Sequence, residues 1–330
     1  MLAVGAFAVD IPRIYTVKNE LQNAADAAAL AGAAALTQGG ATGTDWQAAT
    51  AAAQAAVSLN RSDGVKLTSA TVNAGYWDLA AAAPTLLPSN TVLSPRTQYY
   101  LPEPAVQVTV ARNASANGSI NLLLGGLMGI PTAADSATAV AVIAPPTTLP
   151  AGTVFPMVID QCIFDQYWNS QTNSPLLDPS GQPYEVGLLE KNSKPPPGIA
   201  PMCRAPAWTT YGLNSNSAAT LKQLVASKNT VPMSVGDPTY VVHGDTTSVF
   251  SAIQPLVGKT VMVPVVGEDE VVAGTSPPIV AFAPFHIQSA DGQSCKCILG
   301  NFVSGYTVPV DGSGIATTGY GVYVAPRLAE

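Results

Sequence analysis

Charge is scarce in this sequence. Asp, Glu, Lys and Arg make up 11% of its 330 residues, where a soluble domain typically carries about 25%. The 14 basic residues are scattered, so no basic patch is available to neutralise phosphates, and the chain is read as binding no nucleic acid. Histidine is scarcer still. His243 and His286 are the only two, each alone in a β-rich run and outside any HExxH-type spacing. Neither a GxSxG elbow nor a GxxxxGK[ST] loop occurs, which leaves serine-hydrolase and P-loop chemistry without their usual carriers. No apolar run reaches the ~20 residues that a membrane-spanning helix needs. The opening stretch, Met1 to Val9, is too short and lacks the basic start of a signal peptide. It reads as the tail of a longer apolar segment, or as an end buried in an assembly.

Carboxylates are what remains for catalysis. Asp160 and Asp165, or Glu268, Asp269 and Glu270, have the chemistry for acid–base work or Ca2+ binding. Yet Gly267 to Glu270 lies between two β-rich runs and reads first as a solvated hairpin tip, and Asp311 to Gly314 as a turn. The expectation is a protein without catalytic, cofactor or metal residues.

Four cysteines, Cys162, Cys203, Cys295 and Cys297, all fall in the second half. An even count suits two disulfides in an oxidising compartment. Cys295 and Cys297 flank one residue, and a strand there would put both thiols on one face. Bridging them to each other would close a small, strained ring. Cys162 and Cys203 are therefore each expected to bond to one member of that pair. A zinc site is disfavoured, because only one cysteine pair is closely spaced. The nearby aromatics Tyr167, Trp168, Trp208 and Tyr211 suit packing around a disulfide better than a carbohydrate platform.

Hydrophobic residues make up 47% of the chain and the net charge is −7. That is enough apolar content for two domains with their own cores. The sparsely charged surface favours a chain partly covered by neighbours. From Pro12 to about Leu36 the sequence predicts one long helix, capped by Asp10, with Pro12 in its first turn. Its apolar stripe runs Ile14, Val17, Leu21, Ala25, Ala28, Gly32, Ala35 at steps of three and four, and Leu36 ends the helix as a further assembly candidate. Beyond Asp26 it is small or apolar all round. The ladder Ala24, Ala28, Gly32 has the spacing that lets two helix backbones approach closely, and packing within the chain would use the same ladder. A second Ala-rich helix, Asp45 to Leu59, can cover one side only. The segment Met1 to Leu36 is therefore expected to contact other copies or a partner's similar helix.

After Asp63-Gly64 the pattern turns to strands at Val65 to Asn73, Tyr76-Trp77, Ala105 to Ala111 and Ala137 to Ile143. Ser119 to Met128 suits either a short helix or a strand. Further strands are expected at Val154 to Ile159, Tyr240 to Val242, Thr260 to Val266, Ile279 to Phe285 and Val322 to Ala325, with a helix at Ala218 to Ser227 and an irregular loop from Asn169 to Pro201. The fold class is α+β: two helices packed on a small sheet, then a mainly β domain. The expected division is a helix over 1–37, an α+β domain over 38–144, a Pro-rich linker over 145–152 and a disulfide-containing domain over 153–330.

The run AVDIPRIYTVKNELQNAADAAALAGAAAL, Ala8 to Leu36, resembles the signature AVDxGRxYxxxxxLQNAADAAALAGA of the TadG-like proteins of tight-adherence pilus systems. GYWD at Gly75 to Asp78, AVQVTVAR at Ala105 to Arg112 and ATAVAVIA at Ala137 to Ala144 extend the resemblance over about the first 145 residues. It implies an exported structural protein of a bacterial surface appendage, either a filament subunit or an accessory. Its partners would be other copies or other pilus proteins, met through the N-terminal helix, with inner-membrane anchoring if residues precede those given. Pro12 stands where the family has glycine, and the DxSxS metal motif of some relatives is absent. A secreted glycan- or protein-binding module is the alternative reading, and a secreted hydrolase the weaker third.

Overall fold

The computed structural model describes residues 2–79, 81–91, 102–169, 172–188, 203–243, 247–294, 296–309 and 319–329. A 34-residue helix, α1 (Leu2–Ala35), opens the chain and contains Pro12. The helix therefore does not start at Pro12. Pro12 has no N–H to give the carbonyl of Ala8, but both residues are exposed, so water can serve that carbonyl. A 3-10 turn (Leu36–Thr42) follows, with Gly40 at φ 53° where glycine is favoured. The helix α2 (Trp46–Val57) comes next. Asp45 caps it, accepting the Ala48 N–H at 2.8 Å.

Strands β1 (Thr71–Trp77), β2 (Leu86–Pro88), β3 (Glu103–Arg112) and β4 (Asp135–Val142) form an antiparallel sheet ordered β2-β1-β3-β4. The C-terminal strand Arg327–Leu328 adds to its far edge, pairing Arg327 with Val142. β3 and β4 pair without interruption from Ala105↔Val142 to Arg112↔Asp135. Both helices lie on this sheet. Val17, Leu21, Ala24, Ala25, Ala28, Ala29, Ala33 and Leu36 pack with Ala49, Ala53 and Val57 of α2 and with Val106, Val108 and Ala139 of the sheet. The all-round apolar character of α1 beyond Asp26 is thus satisfied by α2 on one side and the sheet on another.

The remaining residues are mainly β. Strands β5 (Met157–Asp160), β6 (Val186–Leu188), β7 (Ala207–Trp208), β8 (Thr260–Val266), β9 (Ile279–Asp291) and β10 (Cys297–Phe302) form a six-stranded sheet in the order β6-β10-β9-β8-β5-β7. β5 and β8 run parallel and the other pairs antiparallel. The helices α3 (Gln161–Gln166) and α4 (Ala218–Ser227) accompany it. Tyr240 to Val242 forms only a single bridge, Thr209 with Val241. Part of the expected irregular loop is regular: Trp168–Asn169 pairs with Ser174–Pro175, and Val186–Leu188 is a strand.

The segment 145–152 is exposed at Thr148 and from Pro150 to Gly152. Pro145 and Pro146 are buried, and Thr148–Leu149 pairs with Met233–Ser234. The Val324 N–H reaches the Ala144 carbonyl at 2.8 Å. Together with the C-terminal strand, these contacts interlock the two sheets' surroundings. The disulfide pairing also departs from expectation. Cys162, on α3, bonds to Cys203, with Cα atoms 5.5 Å apart. Each was expected to meet the later pair, but the fold brings α3 against the segment before β7 that carries Cys203, and chain spacing carries no trace of that approach. Cys297 is also disulfide-bonded. Cys295 lies outside the described residues, as do 189–202 and the Asp311 to Gly314 turn.

Candidate functional site

One end of the molecule stands out by its chemistry. Asp10, in the third turn of α1, is buried to 5% exposure. It does not cap its own helix. Its Oδ1 accepts the Leu123 N–H at 2.7 Å, and its Oδ2 accepts those of Leu124 and Gly125 at 3.0 and 2.7 Å. Burial alone would raise its pKa, but the three backbone N–H groups and nearby Arg13 outweigh that and hold it below the usual carboxylate range.

The clamped segment is the end of a hairpin. Ile120–Asn121 pairs with Thr132–Ala133, and the tip between them is wound into a 3-10 turn, Gly125–Met128. The Leu122 N–H to Pro131 O and Ile130 N–H to Gly125 O bonds close the tip on itself, with Gly129 at φ 78°. A Cβ on Gly125 would lie 2.5 Å from the Ile130 carbonyl oxygen, so only glycine fits there. Sequence reasoning left this stretch between helix and strand. It is both, in succession.

The tip presents apolar side chains outward. Leu123 is 64% exposed, Leu127 73% and Ile130 56%, and beside them on α1 Val9 and Ile11 are also exposed. Charge begins one turn further along the helix. Arg13 binds Asp63 through both carboxylate oxygens, at 3.2 and 2.7 Å, and Glu20 accepts the Asp63 N–H at 2.6 Å. These bonds tie α1 to the turn after α2.

The residues singled out from sequence fall elsewhere. Ile14 is half-buried, whereas Val17, Leu21, Ala24, Ala25, Ala28, Gly32 and Leu36 are buried within the chain. The Ala24–Ala28–Gly32 ladder is occupied by α2 and β3: a Cβ on Gly32 would meet Val106 Cγ1, the Ala49 oxygen and Ala53 Cβ at 2.9 to 3.0 Å. This close approach is intramolecular, which leaves those side chains no free face for a second chain.

Of the candidate chemical groups, Asp160, Glu268 and Asp269 lie near one another, and the two histidines lie apart from each other on separate partners. Asp160 is fully buried and caps α3 through the Cys162 N–H. Desolvation raises its pKa, and the charges of Asp269 and Glu268 add to this. Asp165 lies on α3 itself. His286 Nδ1 is 3.3 Å from the Thr260 hydroxyl across β8 and β9, and His243 rests against Gly274. Among the described residues no group of three His, Cys, Asp or Glu has metal-binding geometry. Tyr167, Trp168 and Trp208 are buried in the core that also borders Cys203. Tyr211 is buried and donates to the Val154 carbonyl at 2.6 Å. None of the four offers an open ring face for a sugar.

What sequence reasoning missed is the hairpin tip. The signal was present as 22 consecutive residues, 113–134, without a charge. Their exposure, and their link to Asp10 more than a hundred positions away, is a tertiary fact. Among the described residues no helix is long and apolar enough to cross a membrane.

Comparison with known proteins gives matches over the same region. Residues 1–35 match the Flp pilus-assembly TadE/G-like family. Residues 31–141 match the Tad-like Flp pilus-assembly family. No curated protein and no solved structure matches the chain. The first match coincides with α1, and the second runs through α2 and the sheet to the end of β4. Over its first 141 residues the chain is thus similar to the TadE/G-like and Tad-like families of Flp pilus assembly, which supports a role in building such pili.

Proposed function

We propose that the chain is an exported structural component of a Flp-type pilus or of its assembly apparatus, attached through the N-terminal turns of α1, and without turnover of its own. The observation that carries this reading is the coincidence of the two matches with one folded layer, α1 and α2 on the sheet β1 to β4. The family resemblance therefore falls on a packed unit and not on an isolated helix signature. The Cys162–Cys203 bond suits an oxidising compartment outside the cytosol. The buried ladder moves the attachment point along α1. Contacts to other components fall to the exposed side chains of Val9, Ile11 and Tyr15, ahead of the region that packs on the chain's own sheet.

The β-rich remainder is the part available to face outward. A glycan-binding module is the weaker alternative, since the aromatics that suggested it are buried. Mass spectrometry of filaments sheared from the producing cells, together with the cell-envelope fraction, tests the proposal. The chain is expected in one of those two fractions with Cys162 and Cys203 linked; recovery in the cytosol alone, with both thiols reduced, would refute it.

A further inference from the structure

The C-terminal strand returns to the first sheet over a buried carboxyl. Glu103 is buried, and its Oε1 has no hydrogen-bond partner. It opens β3 opposite Trp77, so the period of two places it on the sheet face that carries Trp77, Ala105, Val140 and Val142. Ala329 packs against that same cluster, and its N–H reaches the Val140 carbonyl at 2.8 Å. Arg327 and Tyr323 both act on the Glu103 charge, and Tyr76 acts on Tyr323.

The returning residues are held unequally. Tyr323 and Val324 are buried. Asn173 donates to the Tyr323 hydroxyl, and the Val324 N–H is fixed on the Ala144 carbonyl. Beyond this anchor Ala325 and Leu328 are exposed, and the pairing with β4 is two residues long. The segment Ala325 to Ala329 is thus a thin strap that starts from a firm anchor and covers the face on which Glu103 lies.

We propose that this strap is a pH-sensitive clasp, closed on β4 while Glu103 is neutral and lifted when a carboxylate forms beneath it. Lifting gives the unpartnered oxygen a water to accept from. It also uncovers the β4 backbone from Val140 to Val142, a sheet edge that can pair with another strand.

The sign follows from burial. Desolvation holds the Glu103 pKa well above 4.5, with Arg327 opposing. Burial pushes Tyr76 and Tyr323 upward, so both phenols stay neutral where Glu103 titrates. With the strap lifted, water returns the carboxyl to its ordinary value. The closed form is therefore fully favoured below pH 4.5. Above it the lifted fraction rises about tenfold per pH unit, until the carboxyl ionises in the closed form as well.

Amide hydrogen exchange of the full chain, read by mass spectrometry at pH 5 and pH 7, tests the clasp. Each rate is divided by that of the unstructured peptide at the same pH. At pH 7 the peptide carrying Ala329 is expected to exchange at least about tenfold faster than the buried turns of α2 around Ala53, and at least about tenfold faster than it does itself at pH 5. In Glu103→Gln, which keeps the shape but cannot ionise, the gain with pH should vanish. A Glu103→Gln protein with the parent's gain overturns the proposal. A strap that exchanges no faster than α2 at either pH also overturns it, because the strap would then open only with the whole fold. Should Glu103→Gln fail to fold, the parent decides: equal corrected rates for the strap at pH 5 and pH 7 overturn the clasp.

Discussion

Replacing Gly32 tests the packing that separates this fold from a helix free to associate. On the sequence alone, leucine at Gly32 is expected to block assembly while leaving the cysteine-containing domain folded. In the structure, even a methyl group there lies 2.9 Å from Val106 Cγ1 and 3.0 Å from both the Ala49 carbonyl oxygen and Ala53 Cβ. Two of these neighbours belong to α2 and one to β3, so α1 would have to move from both. The Ala49 oxygen is backbone and cannot rotate away. Overpacking of this kind costs about 1–3 kcal/mol, while alanine gains back about 1 kcal/mol of helix propensity over glycine. Gly32→Ala should therefore lose at most about 2 kcal/mol. Gly32→Leu adds three further carbons to a site that is already full and should lose at least about 3 kcal/mol. At a urea slope of about 2–3 kcal/mol per M, that lowers the unfolding midpoint by about 1 M or more. The assay is urea unfolding of both variants followed by circular dichroism. A Gly32→Leu protein with the parent's midpoint would refute the packing of α1 on α2 and β3.

Other outcomes follow from particular buried groups. Glu103 is 3% exposed, its Oε1 has no hydrogen-bond partner, and desolvation holds its pKa well above 4.5, with Arg327 opposing. A folded-state carboxyl that keeps its proton contributes no penalty below pH 4.5 and a growing one as the pH rises. Stability should thus fall from pH 5 to pH 8, and Glu103→Gln should flatten that slope in thermal melts; an unchanged slope would count against it. Arg112, also 3% exposed, donates to the carbonyls of Ser62, Gly118 and Ser119 at 2.7 to 3.0 Å. Arg112→Ala strands those acceptors and should cost at least about 3 kcal/mol in urea unfolding. A peptide map of unreduced protein should recover Cys162 linked to Cys203, and reduction should remove about 2–4 kcal/mol of stability; a map with Cys162 joined to Cys297 would contradict the pairing.

Sequence patterning located most elements because their periodicity is local. The steps of three and four along α1, the Asp45 cap of α2, the alternation in β3 and β4 and the boundaries of α4 are properties of neighbouring residues. Partnership is not local. The small-residue ladder specified that a backbone comes close to Gly32, but not that it is the chain's own α2. Pro12 read as a helix start because its penalty is usually decisive, and the exposure that relieves it is set by the fold. Asp10 read as a cap for the same reason, while its true acceptor role joins segments 113 to 115 residues apart. Disulfide connectivity was likewise beyond spacing, and so was the return of the C-terminal residues, where Val324 donates to the Ala144 carbonyl and Arg327 pairs with Val142.

The role in pilus assembly is tested most directly by counting surface pili, by electron microscopy, on cells from which this chain alone has been deleted. The account predicts that pili are lost or sharply reduced and return when the chain is restored, whereas a deletion strain with the parent's number and length of pili would contradict it.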